Sequence, residues 1–262
     1  MRIGWLKRND VADKTPMLIP VEKEGMPLRV LHEGREGNGT FVDDRLVTIR
    51  EPYSIAAEQY RVLCSRISQM RQNKSSYALA ITSSLKSEGK SFTSLNLAIA
   101  MARDFDERVL LIEGDLKNPN LHEYLKRSPV FGLSDVLEGK GDFNASAIQL
   151  FDGRLSVLLA GKTIGNPSRL LSSPKMQELL NSVRGYFKYI IIDTPPIIPL
   201  ADMSIYATLV DGILLVIKAG KTPRSIVKRA LGSIPPDKII GAVLNEVESN
   251  YSKYYYGTKY TY

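Results

Sequence analysis

Cysteine and histidine are nearly absent: the 262 residues include one cysteine, Cys64, and two histidines, His32 and His122. A lone cysteine excludes an intramolecular disulfide and fits a reducing cytoplasm. Two distant histidines without cysteine companions supply no zinc set. Long apolar runs are missing as well. A membrane-spanning helix needs roughly 18–20 apolar residues. YIIIDTPPIIPL is broken by Asp193, and GILLVIKAG by Lys218 and glycine. The opening MRIGWLKRND is charged almost at once and has no apolar centre of secretory-signal length. The expectation is a soluble, cytoplasmic chain that reaches a membrane only through a partner. The net charge of +7 gathers on no single segment, so it reads as ordinary surface lysines, and no specific nucleic acid is expected.

Apolar residues make up 44% and charged residues 24%, as in ordinary globular proteins, and the length suits one large α/β domain with extensions. Residues 1–50 show little periodicity, and the Gly-rich GREGNGT at 34–40 reads as a linker. Their reading is an N-terminal extension, followed by a domain over 51–248 and a tail over 249–262. Ala57, Tyr60, Leu63, Cys64 and Ile67 recur at helical spacing, which predicts a helix over 54–72 capped by Ser54. Beyond it, strands are predicted at 77–82, 109–113, 155–159, 189–193, 213–218 and 239–244. Helices are predicted at 90–104, 174–184 and 223–233. Most strands are continuously apolar, as strands buried on both faces must be. The alternation predicts a doubly wound, mostly parallel α/β sheet whose ligands lie beyond the strand C-terminal ends.

Phosphate chemistry sits at those ends. Strand YALAIT, loop SSLKSEGKS and a helical run satisfy the end of the P-loop pattern at Gly89-Lys90-Ser91, with Ser84 in place of the first glycine. Backbone N–H groups of 86–91 are expected to wrap the β-phosphate, Lys90 to reach the β- and γ-phosphates, and the Ser91 hydroxyl to bind Mg²⁺. Gly161-Lys162-Thr163 and Gly220-Lys221-Thr222 imitate the signature without an acidic strand behind them. Asp193 closes an apolar strand, where a P-loop enzyme places a carboxylate for its metal. Glu113 and Asp115 lie two apart, on one face if the strand persists. One of them is then free to hold Mg²⁺ and the other to take a proton from an attacking hydroxyl.

Six of the thirteen tyrosines fall in the last twelve residues: Tyr251, Tyr254, Tyr255, Tyr256, Tyr260 and Tyr262. That segment has no aliphatic residue and no acid, so it cannot build a core. ITSSLKSEGKS, VLLIEGDLKNPNL, YIIIDTPP and GAVLNEV, with this tyrosine cluster, resemble the bacterial tyrosine kinases of capsule and exopolysaccharide synthesis over about residues 50–262. The resemblance implies a P-loop NTPase fold of deviant Walker type, with ATP and Mg²⁺ as donor and cofactor. It implies autophosphorylation of the tail tyrosines in a neighbouring protomer, a ring-like homo-oligomer, a membrane-spanning polysaccharide co-polymerase as activator, and an opposing tyrosine phosphatase. By position, Ser87, Glu88, Gly89, Lys90, Ser91 and Phe92 are its Walker A contacts, and Asn245 lies near the adenine. Lys90, Glu113, Asp115 and Asp193 are its catalytic set, with Ser91, Asp115 and Asp193 at the metal. Asp202 falls in the γ-phosphate-sensing segment. The oligomerisation motif Glu-x-x-Arg-x-x-Arg appears as Glu58, Arg61 and then Cys64. Glu113 replaces the usual aspartate, and Lys117 stands where arginine is common.

Two other readings share this fold. A positioning or partitioning ATPase carries a second lysine four residues before the last loop glycine, where this chain has Leu85 and Lys86 comes one place late. A non-catalytic regulator would bind nucleotide without phosphotransfer.

Overall fold

The computed structural model describes residues 2–4, 43, 46–71, 74–162, 165–199 and 202–247. The six strands expected from sequence form at Tyr77–Ser83 (β2), Val109–Glu113 (β3), Leu155–Leu158 (β5), Tyr189–Asp193 (β6), Gly212–Lys218 (β7) and Ile239–Asn245 (β8). All six run parallel, and short antiparallel strands border them: β1 (Arg2–Gly4) pairs with β8, and β4 (Ile148–Leu150) with β5. The order across the sheet is β1-β8-β7-β2-β6-β3-β5-β4. Three-residue strands carry too few side chains to show a period, so neither edge was visible in the sequence.

The apolar strands divide their side chains between two cores. Tyr77, Leu79 and Ile81 of β2 face one side of the sheet, with Val109, Leu111, Tyr189 and Ile191. Helices α2 (Ile55–Arg71) and α3 (Lys90–Asp104) cover that side. Ala78 and Ala80 face the other side with Leu110, Ile112, Ile190 and Ile192, beneath α8 (Pro174–Val183) and α9 (Asp202–Leu209). A continuous apolar run is thus two period-2 faces, each with its own cover. The α2 cap forms as expected, with Ser54 Oγ accepting from the Ala57 N–H at 3.2 Å.

The packed domain starts ahead of the expected boundary at 51. Leu46 is fully buried, and α1 (Val47–Arg50) is fixed to α3 by Asn96, whose Oδ1 accepts from the Thr48 N–H at 3.1 Å and its hydroxyl at 2.9 Å. At the opposite end of the sheet from the phosphate loop, Asp211 gathers three partners. It accepts from the Ala78 N–H at 2.8 Å, Lys74 at 2.8 Å and Arg184 at 2.9 Å. Among the described residues no helix is long and apolar enough to cross a membrane.

Candidate active site

The loop between β2 and α3 is held from three directions. Gly89 takes a left-handed φ of +91°, and a Cβ there would lie 2.0 Å from Asn245 Nδ2. Only glycine meets both demands. Asn245, at the end of β8, donates to the Glu88 carbonyl at 3.1 Å. The buried Glu88 carboxylate accepts from the Leu85 N–H at 2.7 Å and from the Thr222 hydroxyl. Thr222 belongs to the second imitation signature, so that loop is a brace for the true one. From the third side, the segment after β6 donates Ile197 N–H to the Ser83 carbonyl at 2.8 Å and Ile198 N–H to that of Ser84 at 3.1 Å. Ser87 sits at φ +59°, in the left-handed region.

Lys90 opens α3 and points inward to a buried acidic pair. Its Nζ is 2.9 Å from Asp115 Oδ2 and 3.3 Å from Ser91 Oγ. Burial works against its charge, but Asp193, Asp115 and Glu113 outweigh that and hold the ammonium above its ordinary range. Asp193 is fully buried at the end of β6. Its Oδ1 accepts from Ser94 Oγ at 3.2 Å, and its Oδ2 has no hydrogen-bond partner. Burial pushes Asp193 up to about 6, with Lys90 and Ser91 opposing and Glu113 and Asp115 adding to the rise. An orphaned carboxylate oxygen beside a serine hydroxyl fits a hard cation that takes few protein ligands and the rest from phosphate and water. Among the described residues no group of three or more His, Cys, Asp or Glu is placed to hold a metal ion.

The two acids after β3 do not share a face. The strand stops at Glu113, and the Gly114 and Asp115 N–H groups both donate to the Asp193 carbonyl, at 2.7 and 3.1 Å. Asp115 turns to Lys90. Glu113 turns away: its Oε1 accepts from the Asn120 and Leu121 N–H groups, each at 2.6 Å, and its Oε2 from the Ala160 N–H at 2.9 Å. All three donors are backbone, so Glu113 fixes the start of α4 (Leu121–Leu125) and the end of β5, and the expectation that the two acids share one face is corrected.

A cavity of about 450 Å³ opens over the loop. Ser87, Gly89, Lys90, Ser91, Phe92 and Asn245 line it, whereas Glu88 lies beneath as a strut. Sequence reading missed Asn120, Tyr124 and Glu246 on its wall. Tyr124 meets Phe92 ring to ring at 6.4 Å, and Asn120 Oδ1 is buried without a partner.

Glu58 and Arg61 lie away from this cavity on α2. Arg61 is satisfied within its own chain, by Glu58 at 2.8 Å, Asp104 at 3.0 Å and the Pro52 carbonyl at 2.5 Å. Cys64 is 2% exposed in the core. Position 64 therefore faces inward, and the motif's second arginine has no surface place there. Asp202 opens α9. The six tail tyrosines lie outside the described residues.

Residues 79–257 match the family of the CobQ/CobB/MinD/ParA nucleotide binding domain. The chain is 34% identical over 229 residues to the tyrosine-protein kinase YwqD of Bacillus subtilis (strain 168), covering 86% of this chain and 96% of the relative. It is 35% identical over 210 residues to the putative tyrosine-protein kinase CapB of Staphylococcus aureus, covering 79% and 92%. The kinase domain of the Escherichia coli tyrosine kinase ETK superposes with a TM-score of 0.76 at 27% identity, covering 87% of each chain. A braced phosphate loop, two strand-end aspartates around its lysine and this likeness along most of the chain agree: the protein belongs to the bacterial tyrosine kinases, on a MinD/ParA-type nucleotide-binding domain.

Proposed function

We propose that the chain is an ATP-dependent protein-tyrosine autokinase whose acceptors are Tyr251, Tyr254, Tyr255, Tyr256, Tyr260 and Tyr262 of a neighbouring protomer. The observation that carries this reading is the Lys90–Asp115 pair at 2.9 Å beside the unpartnered Oδ2 of Asp193. Lys90 Nζ is paired with Asp115 Oδ2. Transfer of Lys90 to the β- and γ-phosphates releases that carboxylate. Asp115 is then the group free to accept the phenol proton as the tyrosine oxygen bonds to the γ-phosphorus and the bond to the β-phosphate oxygen breaks, leaving ADP. A phenol of pKa about 10 needs such help at neutral pH. The Ser91 hydroxyl and Asp193 Oδ2 would hold Mg²⁺, with Asp115 at its margin. Bound there, the ion supplies charge neutralisation on the phosphates. Asn245 would lie beside the base, and Phe92 and Tyr124 would wall the nucleotide.

Regulation of capsule or exopolysaccharide polymerisation and export follows from the relatives, one of which is the succinoglycan biosynthesis transport protein ExoP of Rhizobium meliloti. In this reading a membrane-spanning co-polymerase recruits and activates the chain at the inner membrane face, a tyrosine phosphatase reverses it, and protomers assemble through the face of α2 that carries Glu58 and Arg61.

Incubation with Mg-ATP, with and without the cytoplasmic tails of a membrane partner, tests the proposal by phosphopeptide mapping of residues 251–262. Phosphotyrosine that disappears in Lys90→Ala is the expected result. ATP binding with no phosphotyrosine under either condition overturns it in favour of a switch ATPase.

A further inference from the structure

Strand β8 leaves the domain beside the end of β7. Asn245 pairs with Lys218, the Ala219 N–H donates to the Asn245 carbonyl at 2.9 Å, and Lys218 Nζ meets Glu246 at 2.8 Å. The end of β8 therefore lies alongside the loop that leads into α10 (Arg224–Leu231). That loop and helix expose Lys221, Arg224, Lys228 and Arg229. No carboxylate among the described residues pairs with any of the four, whereas Lys74, Lys140, Arg154, Arg184, Lys188 and Lys218 each have one. Arg224 and Lys228 lie four apart and so on one helix face. Val227, Ala230 and Leu231 turn to the core, which fixes the basic face outward.

We infer that this stripe, Lys221, Arg224 and Lys228, is a docking site for the chain's own C-terminal tail once its tyrosines are phosphorylated. Charge complementarity selects that occupant. Residues 251–262 carry Lys253 and Lys259 and no acid, so the unmodified tail is repelled. Each phosphate brings about −1.5 to −2 charge and three acceptor oxygens, which arginine and lysine receive well. Tyr251 lies four residues past Val247, roughly 13 Å of extended chain, and Tyr256 nine residues past it, roughly 30 Å. A docked tail is withdrawn from the neighbouring protomer's active site, so the product would compete with further acceptor exchange. The inference rests on tail phosphorylation, but its test does not need the chain to perform it.

The full-length protein, purified without ATP and treated with phosphatase, is titrated with labelled synthetic peptides of residues 249–262. One peptide is unmodified and one is phosphorylated at Tyr254, Tyr255 and Tyr256. The phosphopeptide should bind at least about tenfold more tightly, and K221E/R224E/K228E should lose about tenfold or more of that affinity. R224E alone should lose a smaller part, and it serves if the triple variant melts below wild type. Equal binding of the two peptides, or phosphopeptide binding unchanged in both variants, overturns the proposal. Vesicles containing phosphatidylserine form a further arm. Vesicle binding that the variants lose, without phosphopeptide binding, would make the stripe a membrane contact and equally overturn it.

Discussion

Ser87 holds a left-handed φ of +59° in the phosphate loop, a conformation that costs an L-residue about 1–2 kcal/mol and glycine almost nothing. Part of that gain is lost again to the greater freedom of glycine in the unfolded chain. Ser87→Gly should therefore raise stability by only about 0.5 kcal/mol, while Ser87→Val should lower it by about 1 kcal/mol or more. Urea midpoints at unchanged m-value would read both. Asp193 gives a residue-scale prediction of opposite character. Its folded pKa is raised to about 6, so between about pH 4 and 6 the folded state holds a proton that the unfolded state has released. Its contribution to stability is accordingly present at low pH and is lost as pH rises through that window. Asp193→Asn should stabilise the nucleotide-free protein at pH 7 by up to about 2–3 kcal/mol and leave it nearly unchanged at pH 4, while abolishing phosphotransfer. Urea unfolding at the two pH values decides it. Equal effects at both would mean that burial is not the cause.

At the scale of elements, the strand ends do the positioning. β3 ends one residue before Gly114, and this sends Glu113 to three backbone amides and Asp115 to the lysine. If Glu113 is a strut, Glu113→Gln should retain at least about a tenth of the transfer rate, since one side-chain oxygen still accepts. Asp115→Asn should lose about a hundredfold or more. Rates at saturating ATP separate the two, and equal losses would return Glu113 to the chemistry. The elements themselves were legible to different degrees. β2, β3, β6 and β7 were plain because burial on both faces leaves runs of four or more apolar residues between turns. Lys90, Ser91 and Asp193 were plain for the same reason, since each closes or follows such a run. The short α4, α5 (Leu133–Glu138), α6 (Phe143–Ser146) and α7 (Pro167–Leu171) span less than two turns each, too little for a helical period to register. Tyr124, Asn120 and Thr222 reach the site only through tertiary packing, so nothing in their local sequence marks them. The direction of Glu113 depended on where its strand stopped, and strand ends are the least certain part of any pattern.

Across the whole molecule, the two ends of the parallel sheet carry different duties. The C-terminal ends bear the phosphate loop and the aspartates, with their unpartnered oxygen. The N-terminal ends are closed by Asp211, whose carboxylate joins Lys74, the start of β2 at Ala78 and Arg184 after α8. Burial alone would raise its pKa, but hydrogen bonds from Lys74, Ala78 and Arg184 together hold it below the usual carboxylate range. The sign is thus the reverse of Asp193: its stabilisation is full above about pH 4 and is lost as the solution becomes more acid. Asp211→Ala should destabilise the domain by about 2–3 kcal/mol at pH 7, and by much less near pH 3, without changing the affinity for nucleotide. Thermal unfolding and a nucleotide titration check the two halves of that statement.

The bond from Asn245 to the Glu88 carbonyl spans 157 residues of chain, and it closes over a glycine that admits no other side chain. During synthesis the loop signature emerges early and its brace late. At about 5–20 residues per second the interval is on the order of ten seconds or longer. A nascent chain halted before β8 would carry the phosphate-binding letters with an unfinished cradle. Nucleotide capture thereby becomes a report that translation has passed residue 245, and a kinase fragment released too soon would lack that brace.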